Sequence, residues 1–164
     1  MDIIKKNYEP KEIFLWSIAL PGFGQLLNQK YIKGIVFILL EFIINVQARL
    51  NVSIVHSFQG DMDAAIQVLD YQWAMFYPCL YIFAMFDSYC DALKINKKQI
   101  PKYLSIPFAV SAYITTLGVV YSNVSTTPIF LGPIFLPILS MVLGFMIGAL
   151  IRRIFLQQWK ATIP

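Results

Sequence analysis

Four long apolar stretches, separated by short gaps that hold almost all the lysine and arginine, limit what this chain can fold into. A helix needs about 20 mostly apolar residues to cross the hydrocarbon core of a bilayer. Lipid offers nothing to an unbonded backbone amide, so a helix is the form such a stretch takes there. The stretches run over 34–50, 71–93, 103–123 and 131–151, and the first is the shortest. Composition points the same way: 58% of the 164 residues are hydrophobic and 13% are charged, too little polar surface to coat a soluble core. The expectation is an all-α, polytopic integral membrane protein with four transmembrane helices, forming one membrane domain over 1–164.

Basic residues in short loops favour the cytoplasmic side. Lys5, Lys6, Lys11, Lys30 and Lys33 precede the first span. Lys94, Lys97, Lys98 and Lys102 separate the second from the third, and Arg152, Arg153 and Lys160 follow the fourth. With both termini cytoplasmic, only Arg49 is left outside. The outer segment 51–70 carries Asp61, Asp63 and Asp70 and no lysine, and Asp61 is placed to start a short helix with Ala65, Val68 and Leu69 on one face. The net charge of +4 follows from this asymmetry and from attraction to lipid head groups, so membrane lipids are expected partners and nucleic acid is not.

The apolar run from Ile13 to Leu27 fits differently. Pro21-Gly22 interrupts it, and lysines that prefer the same side flank both ends. A re-entrant or interfacial helical hairpin over 12–33, turning at Leu20–Gly24, satisfies both constraints. Non-helical backbone at that depth must be covered, so the hairpin is expected to pack on the other helices. No small-residue cleavage pattern of a signal peptide follows the charged start.

Catalytic and metal-binding patterns are missing from the sequence. His56 stands alone on the outer segment. Cys79 and Cys90 are eleven residues apart on one helix, about 16 Å and too far to bridge. No enzyme activity, cofactor or metal is expected, and Trp16, Trp73, Tyr71, Tyr103 and Tyr121 read as interfacial anchors. Two acids within the spans are more informative. Counted from Lys33 and Lys94, Glu41 and Asp87 both lie about 10–12 Å inside the cytoplasmic boundary, at one depth. Three readings are open: a hydrogen-bonded clasp joined by Asn45 or Gln25, with Lys30 and Lys33 as the nearest cations, a coupled proton or cation site, or exposure of the acids to a partner subunit. Asp91, one turn beyond Asp87, belongs to the same polar set. In the last span Ser140, Gly144 and Gly148 form a small-residue face that admits a close helix neighbour, of this chain or of a second copy.

The run Leu20-Pro21-Gly22-Phe23-Gly24-Gln25-Leu26-Leu27-Asn28-Gln29-Lys30-Tyr31-Ile32-Lys33-Gly34-Ile35 resembles a module of small bacterial membrane proteins, with the pattern PGxGQ, then Asn, then KG opening an apolar helix. It is similar to the N-terminal segment of some Firmicutes sugar ABC-transporter permeases, and more distantly to the two-transmembrane-helix domain. Phe86-Asp87-Ser88-Tyr89-Cys90-Asp91-Ala92, followed by Asn96, is similar to a second piece often found after it. The resemblance covers about the first 96 residues, with Leu27 where Tyr is usual. It implies a Gram-positive bacterial plasma membrane and an architecture more than an activity. Physically, Gly22 and Gly24 permit a tight turn, and Gln25 and Asn28 are expected to bond the backbone groups freed by Pro21. Gly34 lets the hairpin lie against the first span.

The function expected from these features is non-enzymatic: an accessory or scaffold subunit of a larger membrane complex, a transporter among the candidates, with another membrane protein or a second copy as partner. Two alternatives stand beside it. One is a small proton- or cation-coupled transporter or channel using Glu41 and Asp87, and the other is a lipid-handling protein with its head-group site at the hairpin turn.

Overall fold

The computed structural model describes residues 8–124 and 131–162, the side chains of 160–162 excepted. Lys5, Lys6, most of the second outer loop and the Lys160 side chain therefore lie outside the described residues. The described chain is helical, with no strand. The helices are α1 (Pro10–Ala19), α2 (Phe23–Leu27), α3 (Tyr31–Ala48), α4 (Leu50–Phe58), α5 (Met62–Val68), α6 (Tyr71–Ala74), α7 (Phe76–Ile95), α8 (Ser105–Val120) and α9 (Gly132–Thr162).

Local chemistry sets most boundaries. A capping box between Glu9 and Glu12, with Pro10 in the first turn, starts α1. Leu20 is extended, as the residue before a proline tends to be, and Gly22 takes a left-handed φ of 95° that turns the chain into α2. The predicted break falls where the chain breaks. Asp61 caps α5 by accepting from the Ala64 amide at 3.0 Å, and Ala65 and Leu69 are buried.

Three elements differ from the expectation. The segment 51–70 carries a second helix, α4, whose Leu50, Ser53, Ile54 and Ser57 share one inward face; the Ser53 hydroxyl donates to the Ala65 carbonyl at 2.9 Å. The second stretch is two helices, because Pro78 has no amide to donate to the Ala74 carbonyl and the chain bends at Met75. The last helix continues beyond 151 through Arg152 and Arg153 to Thr162.

Of these helices, α3 and α9 are long and apolar enough to cross a membrane, which supports a membrane location. Large apolar side chains such as Leu39 and Phe42 on α3, and Met146 and Leu150 on α9, are exposed. The sixteen residues of α8 span about 24 Å, and Asp87, Ser88 and Asp91 interrupt the apolar sequence of the continuous helix α7.

The small-residue face of α9 meets α8 of the same chain. A methyl added at Gly144 would stand 2.6 Å from Ser111 Cα, and one at Gly148 2.5 Å from Pro107 Cα. Opposite Ser140 stands Gly118, and Ser111 donates to the Met141 carbonyl at 2.9 Å. Between α1, α7, α8 and α9, Phe108 packs its ring against Phe14, Phe86 and Phe145. Gly144→Ala is expected to push α9 off α8 and cost about 1–3 kcal/mol, read as a lowered melting temperature in mild detergent. Leu150→Ala on the outward face serves as the near-neutral comparison.

Candidate functional site

The polar residues of the turn motif converge on α7. Backbone contact brings them there: a methyl at Gly22 would stand 2.5 Å from the Gly34 carbonyl oxygen, and Gly24 lies against Ser17 and Ser88 with no room for a side chain. So placed, α2 drives Gln25, fully buried, and Asn28, nearly so, into α7. Gln25 Nε2 donates to the Ala84 carbonyl at 2.8 Å and to Asp87 Oδ2 at 3.1 Å. Asn28 Nδ2 donates to the Ser88 carbonyl at 2.8 Å. A carbonyl has two lone pairs, so Ala84 and Ser88 accept these bonds without losing their place in the helix. Ser17 and Ser88 share a bond of 2.7 Å between their hydroxyls, and Tyr81 donates to the Ile18 carbonyl. Gln25 Oε1 is buried without a hydrogen-bond partner.

One cation closes the cluster. Lys33 Nζ lies 2.7 Å from Asp87 Oδ1 and 2.9 Å from Asp91 Oδ2, two carboxylates on successive turns of α7. The Lys33 side chain is half exposed while both acids are largely covered, and Lys94 stands 4.0 Å from Asp91. Below the cluster, Asn96 Nδ2 donates to the Tyr8 carbonyl at 3.0 Å, and Lys98 pairs with Glu9 at 2.7 Å. That outer pair is exposed and contributes at most about 1 kcal/mol.

Comparison with protein-family models, curated proteins and solved structures finds no match.

Two expectations are corrected here. Gln25 and Asn28 do not bond backbone groups freed at Pro21; the turn is closed by its own backbone, with Phe23 N donating to Leu20 O at 3.1 Å and Leu26 N to Gly22 O at 3.0 Å. Glu41 and Asp87 do not share a depth. Lys33 stands opposite Asp87, and the rings of Phe37 and Phe83 are 6.0 Å apart, so the antiparallel helices carry Glu41 about 12 Å further along, towards Tyr77. There Asn45 Nδ2 reaches Glu41 Oε1 at 3.4 Å and Asn51 Oδ1 at 3.3 Å. Lys30 bonds through its backbone, its amide donating to Gln25 O at 2.9 Å and its carbonyl accepting from Gly34 N at 2.9 Å.

Ser17 and Ser88 are members of the cluster that sequence reasoning missed. The available signal was weak: Ser17 is a small polar residue in an apolar helix, one of many such positions. Chemically the arrangement is a latch, in which amides, hydroxyls and charges hold the hairpin to α7 and one another. Gln25→Ala is expected to cost about 1–3 kcal/mol by leaving the inward Asp87 oxygen short of a donor. A double-mutant cycle with Asp87→Ala in detergent unfolding should return a coupling of about 0.5–3 kcal/mol.

Proposed function

We propose that this chain is a non-enzymatic accessory or scaffold subunit of a larger membrane assembly. In this reading it sits in a bacterial plasma membrane and crosses four times, through α3, α6 with α7, α8 and α9. The α1–α2 hairpin dips in and returns to the cytoplasmic side, and both termini are cytoplasmic. The observation that carries the reading is the disposition of polar and apolar groups. Gln25, Asn28, Lys33, Asp87, Ser88 and Asp91 bond one another, whereas the large apolar side chains of α3 and α9 point outward. A machine for chemistry keeps reactive groups available; a subunit that docks in lipid keeps surface available. The polar side of α7 faces the hairpin, so its acids do not meet lipid, and the short α8 is accommodated by local thinning of the bilayer.

The distance of Glu41 from Asp87 takes away the observation that favoured ion coupling through that pair of acids. Lipid handling remains the second reading, favoured by an apolar cavity of about 250 Å³ lined by residues including Leu69, Tyr77, Ile82, Thr115, Ile134 and Ile138. Narrowing it with Ile138→Trp should strip retained lipid from the purified protein if that reading holds; unchanged lipid content argues against it.

Sidedness and assembly test the leading reading. In a background lacking Cys79 and Cys90, a membrane-impermeant maleimide should label a cysteine placed at Gly60 in intact cells. It should leave cysteines at Glu9 and Lys97 unlabelled until the membrane is opened. Labelling of Glu9 from outside overturns the re-entrant hairpin. Purification in mild detergent should yield the chain with a second membrane protein, and a lone monomer overturns the accessory role.

A further inference from the structure

The first turns of α1 leave a groove beside α8. Lys11, Phe14 and Leu15 are spaced by three and four residues and so share one face of the helix. Along that face an apolar cavity of about 440 Å³ opens sideways, lined by these three with Tyr89 of α7 and Phe108 of α8. Ring contacts close its inner wall: Phe14 meets Tyr89 edge-on at 5.7 Å and Phe108 at 6.2 Å. Both α1 and α8 pack on α7, but they make no substantial contact with each other, so the groove is the gap between two helices that share a neighbour. Its volume is that of a small-molecule site, and Leu15 on its outer wall is 65% exposed. The charge at its mouth is uncompensated. Ion pairs among the described residues join Lys33 to Asp87 and Asp91, Lys94 to Asp91, and Lys98 to Glu9; none includes Lys11. The acids of the same turn are engaged, Glu9 with Lys98 and Glu12 with the Glu9 amide at 2.9 Å.

We propose that this groove binds one anionic phospholipid of the cytoplasmic leaflet, its phosphate on Lys11 and one acyl chain between α1 and α8. Charge complementarity selects the head group. A lysine stem lies along apolar surface while its ammonium stays at the wet boundary, the level of a lipid phosphate. Shape selects the tail. Spanning helices approach one another through small residues, and bulky rings wall this groove, so a helix of a partner or of a second copy is held off. A soluble phosphate meets a single cation there, whereas a phospholipid adds the burial of its chain. The bound lipid fills the space that α1 and α8 leave, and ties the hairpin to the other half of the bundle beside the ring contact of Phe14 with Phe108.

This inference rests on the membrane reading above, and the test separates the two. The full-length chain is reconstituted into phosphatidylcholine vesicles with a minor share of phosphatidylglycerol and extracted in mild detergent. Native mass spectrometry then counts the retained lipids. The parent should keep one phosphatidylglycerol per chain, enriched about fivefold over its share of the vesicle, as one well-placed lysine allows. Lys11→Gln should abolish the enrichment and Lys11→Arg restore it. Arg153→Gln, the same loss of charge at the cytoplasmic end of α9, should leave it intact. Leu15→Trp should fill the groove and expel the lipid, with thermal unfolding in pure phosphatidylcholine near that of the parent. Lys11 is exposed, so its substitution carries the test even if the bulkier change impairs folding. Absence of enrichment in the parent overturns the inference, as does enrichment that survives Lys11→Gln or is lost equally in Arg153→Gln. Displacement of the lipid by excess inorganic phosphate assigns the site to a soluble anion and also overturns it. A chain that does not float with the vesicles refutes the membrane reading and this inference with it; one that floats without enrichment refutes only the lipid site.

Discussion

A side-chain amide withdrawn from water costs several kcal/mol unless it finds partners, and the N-terminal hairpin carries two such amides into the interior. The NH2 groups of Gln25 and Asn28 find acceptors on Ala84, Asp87 and Ser88, all on one face of α7. Much of the arrangement follows. With Gln25 on Asp87, α2 has one permitted seat, and the close meeting of Gly22 with Gly34 then brings α3 alongside. Lys33 reaches both acids from that position, and its pairing sets the register of α3 against α7. The depth of Glu41 is a consequence of this register and is set by no contact of its own.

The other half of the bundle is held by a different kind of force. Between α8 and α9 the backbones approach at Gly144 and Gly148, and Ser111 adds a hydrogen bond to the Met141 carbonyl. Dispersion over a long close contact supplies the adhesion there, as is usual for helices with small residues at their interface. The ring of Phe108 links the two halves, touching Phe14 of the hairpin on one side and Phe145 of α9 on the other.

Legibility in the sequence followed the physics of each signal. The break at Pro21-Gly22 is readable because a missing donor and a constrained neighbour act locally, and the same is true of Asp61 as a cap. The small face of α9 is readable as a contact, though its partner, α8, is not written in it. Partners of Gln25 and Asn28 are hidden because backbone carbonyls receive them, and every residue offers a carbonyl. The depth of Glu41 was misread for a related reason. Lys33 counts as a boundary marker only if it snorkels outward, whereas it turns sideways to Asp87 and Asp91. Helix α4 escaped notice because Ser53 and Ser57 break up its apolar face, although both are buried. Pro78 escaped because an apolar run does not register a missing amide.

The latch also has a direction in time. Gln25 precedes the Ala84 carbonyl that accepts from it by 59 residues, and Asn28 precedes that of Ser88 by 60. As the nascent chain emerges amino end first, both amides exist well before their acceptors do. Until the second half of α7 is made, the two amides lack the acceptors that they have in the folded chain. The first helix to be synthesised thus waits for the seventh, and a ribosome stalled short of residue 84 holds a hairpin whose seat does not yet exist.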